Sequence, residues 1–427
     1  MKTSLTTVYL SLTGLILAAS PDSLSLEDAF KATLKNNYQI QIARNLTEVS
    51  DNNATLGNAG LLPSLNASTG ANYADFDGIQ NGVAVDGAST NTSAGLSLSY
   101  TLFNGLSQIY AYRNLKEQLN SAELQERLTI ENTLLGVAQA YFNLITADQN
   151  LEIVEEQLRV SQERLTLSRE RMVLGSLGRL DYLSAQVDFN TDSIAFMNIQ
   201  QAKDDARRNL NVLLGWESEK ELAVQPDNSP FTSYELTDLS EKTRVNSSVL
   251  LLSASSVEQS QLNLKSSKTS FLPQLTYSTS FGRDQTAPDF GLGLDDPNKV
   301  LRHNFSLSWN LFSGGKRKAN VQNARIALKN AELNKADALL NLEKYVISFH
   351  SAYGNSLTTL ASEQKTLEYA QLNFERAREL FRLGQITSLQ YREAQLNLSR
   401  TQIGITQARY SARNYELKLL QLSGQLL

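Results

Sequence analysis

Side chains suited to catalysis or metal binding are scarce in this chain. Its 427 residues include no cysteine and only two histidines, His303 and His350. The absence of thiols excludes disulfides, thiolate metal sites and cysteine nucleophiles together. We expect His303 just before a strand and His350 in the middle of a helix. Neither has carboxylates at metal-ligand spacing, so we predict no metal site and no cofactor.

Known catalytic motifs are also missing. No phosphate-binding loop, dinucleotide fingerprint, serine-hydrolase elbow or zinc-protease motif occurs. The segment Gly175-Ser176-Leu177-Gly178 favours a chain reversal between two helices rather than a nucleotide loop. We expect acidic residues to pair along helix faces, as the spacing of Glu155 and Arg159 allows, which is typical of solvated surfaces. The net charge of −5 offers no basic surface for nucleic acid. We predict a protein that is not an enzyme and binds no nucleic acid.

Residues 1–20 have the pattern of a signal peptide. Lys2 precedes a mostly apolar run from Leu5 to Leu17, and Ala18-Ala19-Ser20 supplies small residues for cleavage. An N-terminal membrane anchor is the alternative, although the run is short for a spanning helix. No other segment is a continuous apolar run of spanning length, so any crossing of a membrane would have to use strands.

Much of the remaining sequence occurs twice, 209 or 210 residues apart. Leu62-Pro63-Ser64-Leu65 returns as Leu272-Pro273-Gln274-Leu275, and Leu102-Phe103-Asn104-Gly105 returns as Leu311-Phe312-Ser313-Gly314. A period this long indicates a duplicated half rather than a solenoid repeat. We predict a first structural repeat at 21–215, a linker at 216–233 and a second structural repeat at 234–427.

The residue pattern of each repeat predicts a helix, two strands, a long helix, a turn and a returning helix, in that order. Large apolar residues recur every seven positions in both long helices, which indicates coiled-coil seams. Each long helix, of roughly 70 residues, would extend about 100 Å. The expected helices are Leu26–Gly60, Gly105–Leu174 and Gly178–Leu214, followed by Leu236–Ser270, Gly314–Leu383 and Leu389–Leu422.

In each repeat, two segments lie between the first helix and the long helix, and both alternate between apolar and small polar residues. Their length of about ten residues and their period of two are typical of bilayer-spanning strands, although a half-buried soluble hairpin has the same pattern. We expect loops at Asp75–Asn91 and Gly282–Arg302. The side chains expected to face lipid are Tyr73, Leu98, Tyr100, Tyr277, Phe281, Leu307 and Trp309.

Strand pairs joined to long helical hairpins resemble the TolC-type outer-membrane efflux proteins, also called outer-membrane factors. The markers are Leu-Pro-x-Leu at each first strand, Leu-Phe-x-Gly after each second strand, and Leu-Gly at each hairpin turn. The resemblance implies an internally duplicated α+β membrane protein with four transmembrane β-strands per chain. A homotrimer would complete a twelve-stranded barrel, and the coiled-coil hairpins would form a periplasmic tunnel.

The resemblance also implies a function and a location. The chain would be the passive outer-membrane exit duct of a tripartite efflux or type I secretion system in a Gram-negative-type bacterium. Its partners would be a periplasmic adaptor protein, an inner-membrane transporter and outer-membrane lipid. The adaptor would dock at the hairpin turns, carried here by Leu174, Gly175, Ser176, Leu383, Gly384 and Gln385.

A periplasmic gate is the last feature that the resemblance implies. Glu393 matches an acidic gate position, and three copies would form a carboxylate ring. Gln390 stands where the family pattern often has a second acid, and Asp181 matches the acidic residue near the first turn. The alternative to a duct is a periplasmic structural coiled-coil protein with soluble hairpins, which would have to bury the aromatic residues of the strands.

Overall fold

The computed structural model describes residues 23–80, 83–288 and 298–426; the predicted signal peptide lies outside them. The chain is mostly helical, with one sheet. The long helices α3 and α7 have 67 residues each, and α7 begins and ends 209 residues after α3. The first six elements are α1 Leu26–Asn36, α2 Tyr38–Asn53, β1 Ser64–Gln80, β2 Val83–Phe103, α3 Ser107–Val173 and α4 Arg179–Leu213. The next six are α5 Leu236–Asn246, α6 Ser248–Thr269, β3 Gln274–Pro288, β4 Asn298–Ser308, α7 Lys316–Arg382 and α8 Ser388–Leu422.

Two compact units divide the chain. The sheet unit comprises residues 38–132, 234–351 and 416–427, and the hairpin unit comprises residues 1–37, 133–233 and 352–415. Each unit takes residues from both predicted repeats. One boundary between the units falls between residues 233 and 234, where the second repeat is predicted to begin, whereas residue 215 lies inside the hairpin unit. The two repeats remain a prediction about the sequence.

The predicted single helix Leu26–Gly60 is wrong, because the helix breaks at Asn37. This residue has an extended backbone with φ −65° and ψ 127°. Its side-chain Nδ2 donates to Leu213 O at 2.7 Å, which gives the carbonyl at the end of α4 a partner. The helix Leu236–Ser270 breaks in the same way at Ser247, at φ −61° and ψ 120°. Neither break contains glycine or proline, so composition gave no signal for it.

Glycines end α4 and α8, as the sequence predicts. The N–H groups of Gly215 and Trp216 donate to Val212 O and Asn211 O, the Schellman arrangement of a helix end. Gly215 has φ +72°, and a Cβ there would lie 2.6 Å from Asn36 O. Gly424, at φ +67°, makes the same close approach to Asn246 O. Only glycine fits both the left-handed backbone and the space.

The four strands form one antiparallel sheet in the order β1-β2-β3-β4. They are longer than predicted. Most of the expected loop Asp75–Asn91 is strand, and the expected loop Gly282–Arg302 is strand up to Pro288 and again from Asn298. Cross-strand hydrogen bonds thus continue through polar residues that sequence reasoning assigned to loops, because a sheet ladder satisfies the backbone whatever the side chains.

Two predictions at β4 need correction. His303 lies inside the strand, where its Nδ1 is 3.0 Å from the Tyr277 hydroxyl, rather than before it. Trp309 follows the strand, which ends at Ser308, and its Nε1 donates to Phe271 O at 3.0 Å. Trp309 is therefore next to the sheet and not in one of its strands.

The register places apolar and polar side chains on opposite faces of the sheet. On one face Leu98 pairs with Leu65 and Thr279. On the other face Ser97 pairs with Asn66 and Ser280. Since side chains alternate along a strand, the apolar face also holds Tyr73, Tyr100, Tyr277, Phe281, Leu301, Phe305 and Leu307. The outer strands β1 and β4 each have one edge without a neighbour in this four-stranded sheet.

The Leu-Phe-x-Gly marker has a backbone explanation. Gly105 and Leu106 take φ +69° and +71°, and the corresponding Gly314 and Gly315 take φ +59° and +83°. Two consecutive left-handed residues reverse the chain between a strand and a long helix. At Gly105 a Cβ would lie 2.9 Å from Thr269 O and from the Leu272 side chain, so this position also needs glycine for space.

The predicted linker 216–233 is fixed to the hairpin unit by buried side chains. Arg207 donates to the carbonyls of Glu219 and Lys220 at 3.1 and 3.0 Å. The Tyr141 hydroxyl contacts Leu24 O at 2.9 Å and Gln225 O at 2.7 Å. Burial raises the pKa of Tyr141 to about 12, so this hydroxyl stays protonated and able to donate at neutral pH.

Candidate functional site: the hairpin turns

Two helix-to-helix turns hold the residues predicted to dock an adaptor. At the first, the N–H groups of Gly175 and Ser176 donate to Met172 O and Arg171 O. At the second, Gly384 and Gln385 make the equivalent bonds to the carbonyls of Phe381 and Leu380. Both glycines have φ +74°, and a Cβ on either would meet no atom within 4 Å. The chain itself therefore leaves the space in front of each turn open.

Apolar side chains surround both turns and face solvent. Leu174 is 80% exposed and Leu383 is 71% exposed. The second residues of the returning helices, Leu180 and Leu389, are similarly exposed. Contiguous exposed apolar surface is typical of a protein contact site. The six predicted docking residues thus lie on two turns with the character of binding surfaces.

Contacts within the hairpin unit join the two turns. The Arg171 guanidinium donates to Arg382 O at 2.8 Å and lies 5.2 Å from the centre of the Phe381 ring. A cation at the carboxyl end of α7 is favoured by the helix dipole. The buried Phe381 ring in turn stacks on Tyr391 of α8, with ring centres 5.0 Å apart. These contacts hold the end of α3 against the end of α7.

The three predicted gate residues have different surroundings. Gln390 caps α8: its Oε1 accepts from the Thr387 N–H at 2.9 Å, and its own N–H donates to Thr387 Oγ1 at 3.3 Å. Asp181 lies in the first turn of α4, where the helix dipole favours an acid. Glu393 is exposed. Among the described residues no hydrogen bond or ion pair joins these three side chains, so one chain alone does not bring them together.

A buried ionic cluster lies deeper in the hairpin unit. Asp192 of α4, which is 1% exposed, accepts hydrogen bonds from both Nη atoms of Arg392 of α8, at 2.6 and 2.7 Å. It also accepts from Gln157 Nε2 at 2.6 Å and from the Ser161 hydroxyl, both on α3. The amide of Gln395 completes the Asp192 cluster by donating to Gln157 O at 2.8 Å. The cluster ties three helices together through one carboxylate.

A second buried arginine lies beside the cluster. Arg164 Nη2 donates to Asp188 at 2.6 Å, and Nη1 to Ser388 O at 3.4 Å. Burial lowers the pKa of Arg164, opposed by the nearby Asp188 carboxylate; the guanidinium nevertheless stays charged. It lines an open cavity of about 410 Å³ together with Tyr391 of α8 and other residues of α3 and α7, among them Arg378.

Sequence reasoning missed the Asp192 cluster. Two of the small residues on α3, Ser161 and Ser168, suit close helix pairing, and the sequence suggests no further role for them. Both are fully buried, as that interpretation requires, but Ser161 also donates to Asp192. The one signal in the sequence was the small polar residue Ser161 on the packed face of α3. It points to a polar cluster only once the packing shows that Asp192 of α4 and Arg392 of α8 lie next to it.

Both histidines contact tyrosine residues of the same chain. His350 Nε2 contacts Tyr234 O at 2.9 Å, and His303 contacts Tyr277. Within residues 23–80, 83–288 and 298–426, no group of three histidines or carboxylates is arranged to hold a metal ion. In the same part of the chain, no helix combines the length and the apolar character needed to cross a membrane.

Comparison with known proteins identifies the family. The outer membrane efflux protein family matches residues 29–216 and again residues 239–425. A probable outer membrane lipoprotein of Salmonella typhimurium, SilC, is 23% identical over 410 residues, covering 92% of this chain and 84% of the relative. The outer membrane protein TolC of Vibrio cholerae is 22% identical over 403 residues, covering 93% of this chain and 89% of that protein.

Solved structures show the same fold. The Campylobacter jejuni CmeC outer membrane channel superposes with a TM-score of 0.80 at 18% identity, covering 94% of this chain and 86% of that chain. The family and its structural neighbours are channels rather than enzymes. The relatives are outer-membrane proteins, and this chain has the same location, with a large periplasmic portion. The chain is a member of the outer membrane efflux protein family, as the duplicated strand and turn markers predict.

Proposed function

We propose that three copies of this chain form a passive exit duct for a tripartite efflux or type I secretion system. The observation that carries the proposal is a four-stranded sheet that has one apolar face, one small polar face and two open edges. The apolar face would contact hydrocarbon and the polar face would line water, as in other outer-membrane barrels.

The open edges require further copies. Unpaired backbone groups cost several kcal/mol each in hydrocarbon, so a membrane sheet has to close on itself. In this proposal β1 of one copy pairs with β4 of the next. Three copies give a closed twelve-stranded barrel, which is the number that the family resemblance implies.

The helices carry apolar residues that one chain leaves exposed. On α2, Tyr38, Ile42, Leu46 and Val49 form one exposed face at helical spacing. On α4, Leu180, Val187 and Ile194 recur every seven residues, as in a coiled-coil seam, and they are also exposed. We infer that these surfaces pack against neighbouring copies, since apolar seams of this kind are stable only when they are covered.

The hairpin turns are the proposed docking surface for a periplasmic adaptor, which in turn joins an inner-membrane transporter. Exposed leucines, the open space at Gly175 and Gly384, and the family's mode of action support this assignment. The contact of Arg171 with Arg382 O would present the two turns to the adaptor as one surface.

The proposal predicts a cation preference that depends on Glu393. This carboxylate is exposed and forms no ion pair among the described residues, so three copies would place a ring of free negative charge at the periplasmic entrance. The full-length protein should conduct ions in planar bilayers, and Glu393→Gln should lower its cation-over-anion permeability ratio by about twofold or more.

Glu393→Asp is the matched control, because it keeps the charge and should keep the preference. A full-length protein that inserts into bilayers without conducting would contradict the duct itself. If the duct conducts but Glu393→Gln has unchanged selectivity, the duct stands and Glu393 does not line the entrance.

A further inference from the structure

The apolar face of the sheet ends in two cations that lie opposite each other. Arg283 of β3 pairs with Lys299 of β4. The preceding row on the same face is Phe281 opposite Leu301. Both cations are exposed. Apolar side chains thus give way, within one row, to two adjacent positive charges.

No residue in that row balances the charge. Arg283 pairs on its other side with Ala94 of β2, which pairs with Thr69 of β1. The neighbouring acid Asp284 is one residue further along β3, so its side chain is on the opposite face. Neither cation forms an ion pair among the described residues. Like charges directly opposite each other destabilise a strand pair, so an anion bound between these two cations would stabilise the row.

The position of the row identifies the source of that anion. Lys299 is eight residues from Leu307 along β4, about 27 Å along the strand. At a barrel tilt of 35–45° this is roughly 20 Å along the membrane normal, close to the height of a lipid-facing apolar band. The long helices join the other end of the sheet, after Phe103 and Ser308. The cations are therefore at the end of the hydrocarbon band that is distant from the periplasmic portion.

We propose that Arg283 and Lys299 bind the phosphate of a phosphorylated lipid headgroup in the outer leaflet of the outer membrane. A guanidinium can hold two phosphate oxygens in a fork, and the ammonium of lysine adds a compact point charge. The lipid's acyl chains would lie along Phe281 and Leu301 on the same face. This inference rests on the proposed contact of that face with hydrocarbon, and it adds a specific lipid to the proposed function.

The test uses the full-length protein in detergent, with lipid A as the probe and native mass spectrometry as the readout. The double variant Arg283→Gln/Lys299→Gln should bind lipid A about thirtyfold more weakly, from the loss of two cations near a charged headgroup. Arg302→Gln is the matched control. Arg302 is on the same strand and opposite Ser280, so it belongs to the polar face and should not affect binding.

Each outcome distinguishes a lipid site from a general effect of charge or a role in folding. Equal loss of lipid in both variants would mean a general effect of positive charge and would overturn the proposal. Inorganic phosphate that competes as well as lipid A would overturn the assignment to lipid. Unchanged lipid binding in the double variant would also overturn the proposal. If its thermal stability were lowered at the same time, the two cations would be pairing with anionic groups of the protein instead. Ion conductance of the same variants in planar bilayers tests the duct separately. A protein that conducts ions but shows no preference for lipid A would overturn the lipid site and leave the proposed duct intact.

Discussion

Asp192→Ala should lower the stability of the helical hairpins by about 3–5 kcal/mol, the cost of breaking a buried ion pair from one side. Arg392 is 7% exposed, and both of its Nη atoms donate to the Asp192 carboxylate. Without that carboxylate, a buried guanidinium has no counter-charge, and the amide of Gln157 and the hydroxyl of Ser161 lose an acceptor. The measurement is thermal unfolding of the detergent-solubilised protein, followed by helical circular dichroism.

Two further variants show whether burial causes the effect. Asp192→Leu with Arg392→Met replaces the pair with apolar groups of similar size and should recover most of the stability. Glu156→Ala removes an exposed partner of Arg159 on the same helix α3 and should cost less than about 1 kcal/mol. An Asp192→Ala protein that unfolds at the wild-type temperature would show that the cluster does not hold the three helices together.

Gly175→Trp combined with Gly384→Trp should abolish export while trimers remain in the outer membrane. A Cβ at either position meets no atom of the chain within 4 Å, so the indole would project into the space proposed for the adaptor. The left-handed backbone adds a strain of roughly 1–2 kcal/mol per residue, which a large folded assembly tolerates. Export is measured as the resistance of cells to a pump substrate, and assembly as cross-linked trimer in outer-membrane fractions.

The matched control is Gly175→Ala with Gly384→Ala. It carries the same backbone strain without the bulk, and it should retain export. Export that survives the tryptophan pair would place the adaptor away from the turns. Export lost equally in the alanine pair would assign the effect to the backbone of the turn rather than to docking.

The order and type of the elements were predictable from the sequence because they depend on local signals. Glycines with φ +72° to +74° end α3, α4 and α7, and the sequence places a stop at each of them. Alternation along the strands, from Leu96 to Tyr100 for example, gives the correct apolar face. These features depend on neighbouring residues, and a single sequence contains that information.

Features that depend on distant contacts were not predictable. The break at Asn37 is stabilised by a carbonyl 176 residues away in sequence, and nothing local to Asn37 marks it. The Asp192 cluster joins α3, α4 and α8, so its three helices have to be packed before its charges can be recognised as partners. The strand extensions beyond Tyr73 and Phe281 come from ladder pairing between polar residues, which composition assigns to loops.

Site-specific labelling in the membrane decides whether the apolar face of the sheet contacts lipid. The chain has no cysteine, so single cysteines can be placed at Phe281 and at Ser280, adjacent residues on opposite faces of β3. In the reconstituted protein, a maleimide carried on a lipid should label Phe281→Cys, and a water-soluble maleimide should label Ser280→Cys. If both positions react only with the water-soluble reagent, the apolar face does not contact lipid, and the chain is not a membrane duct.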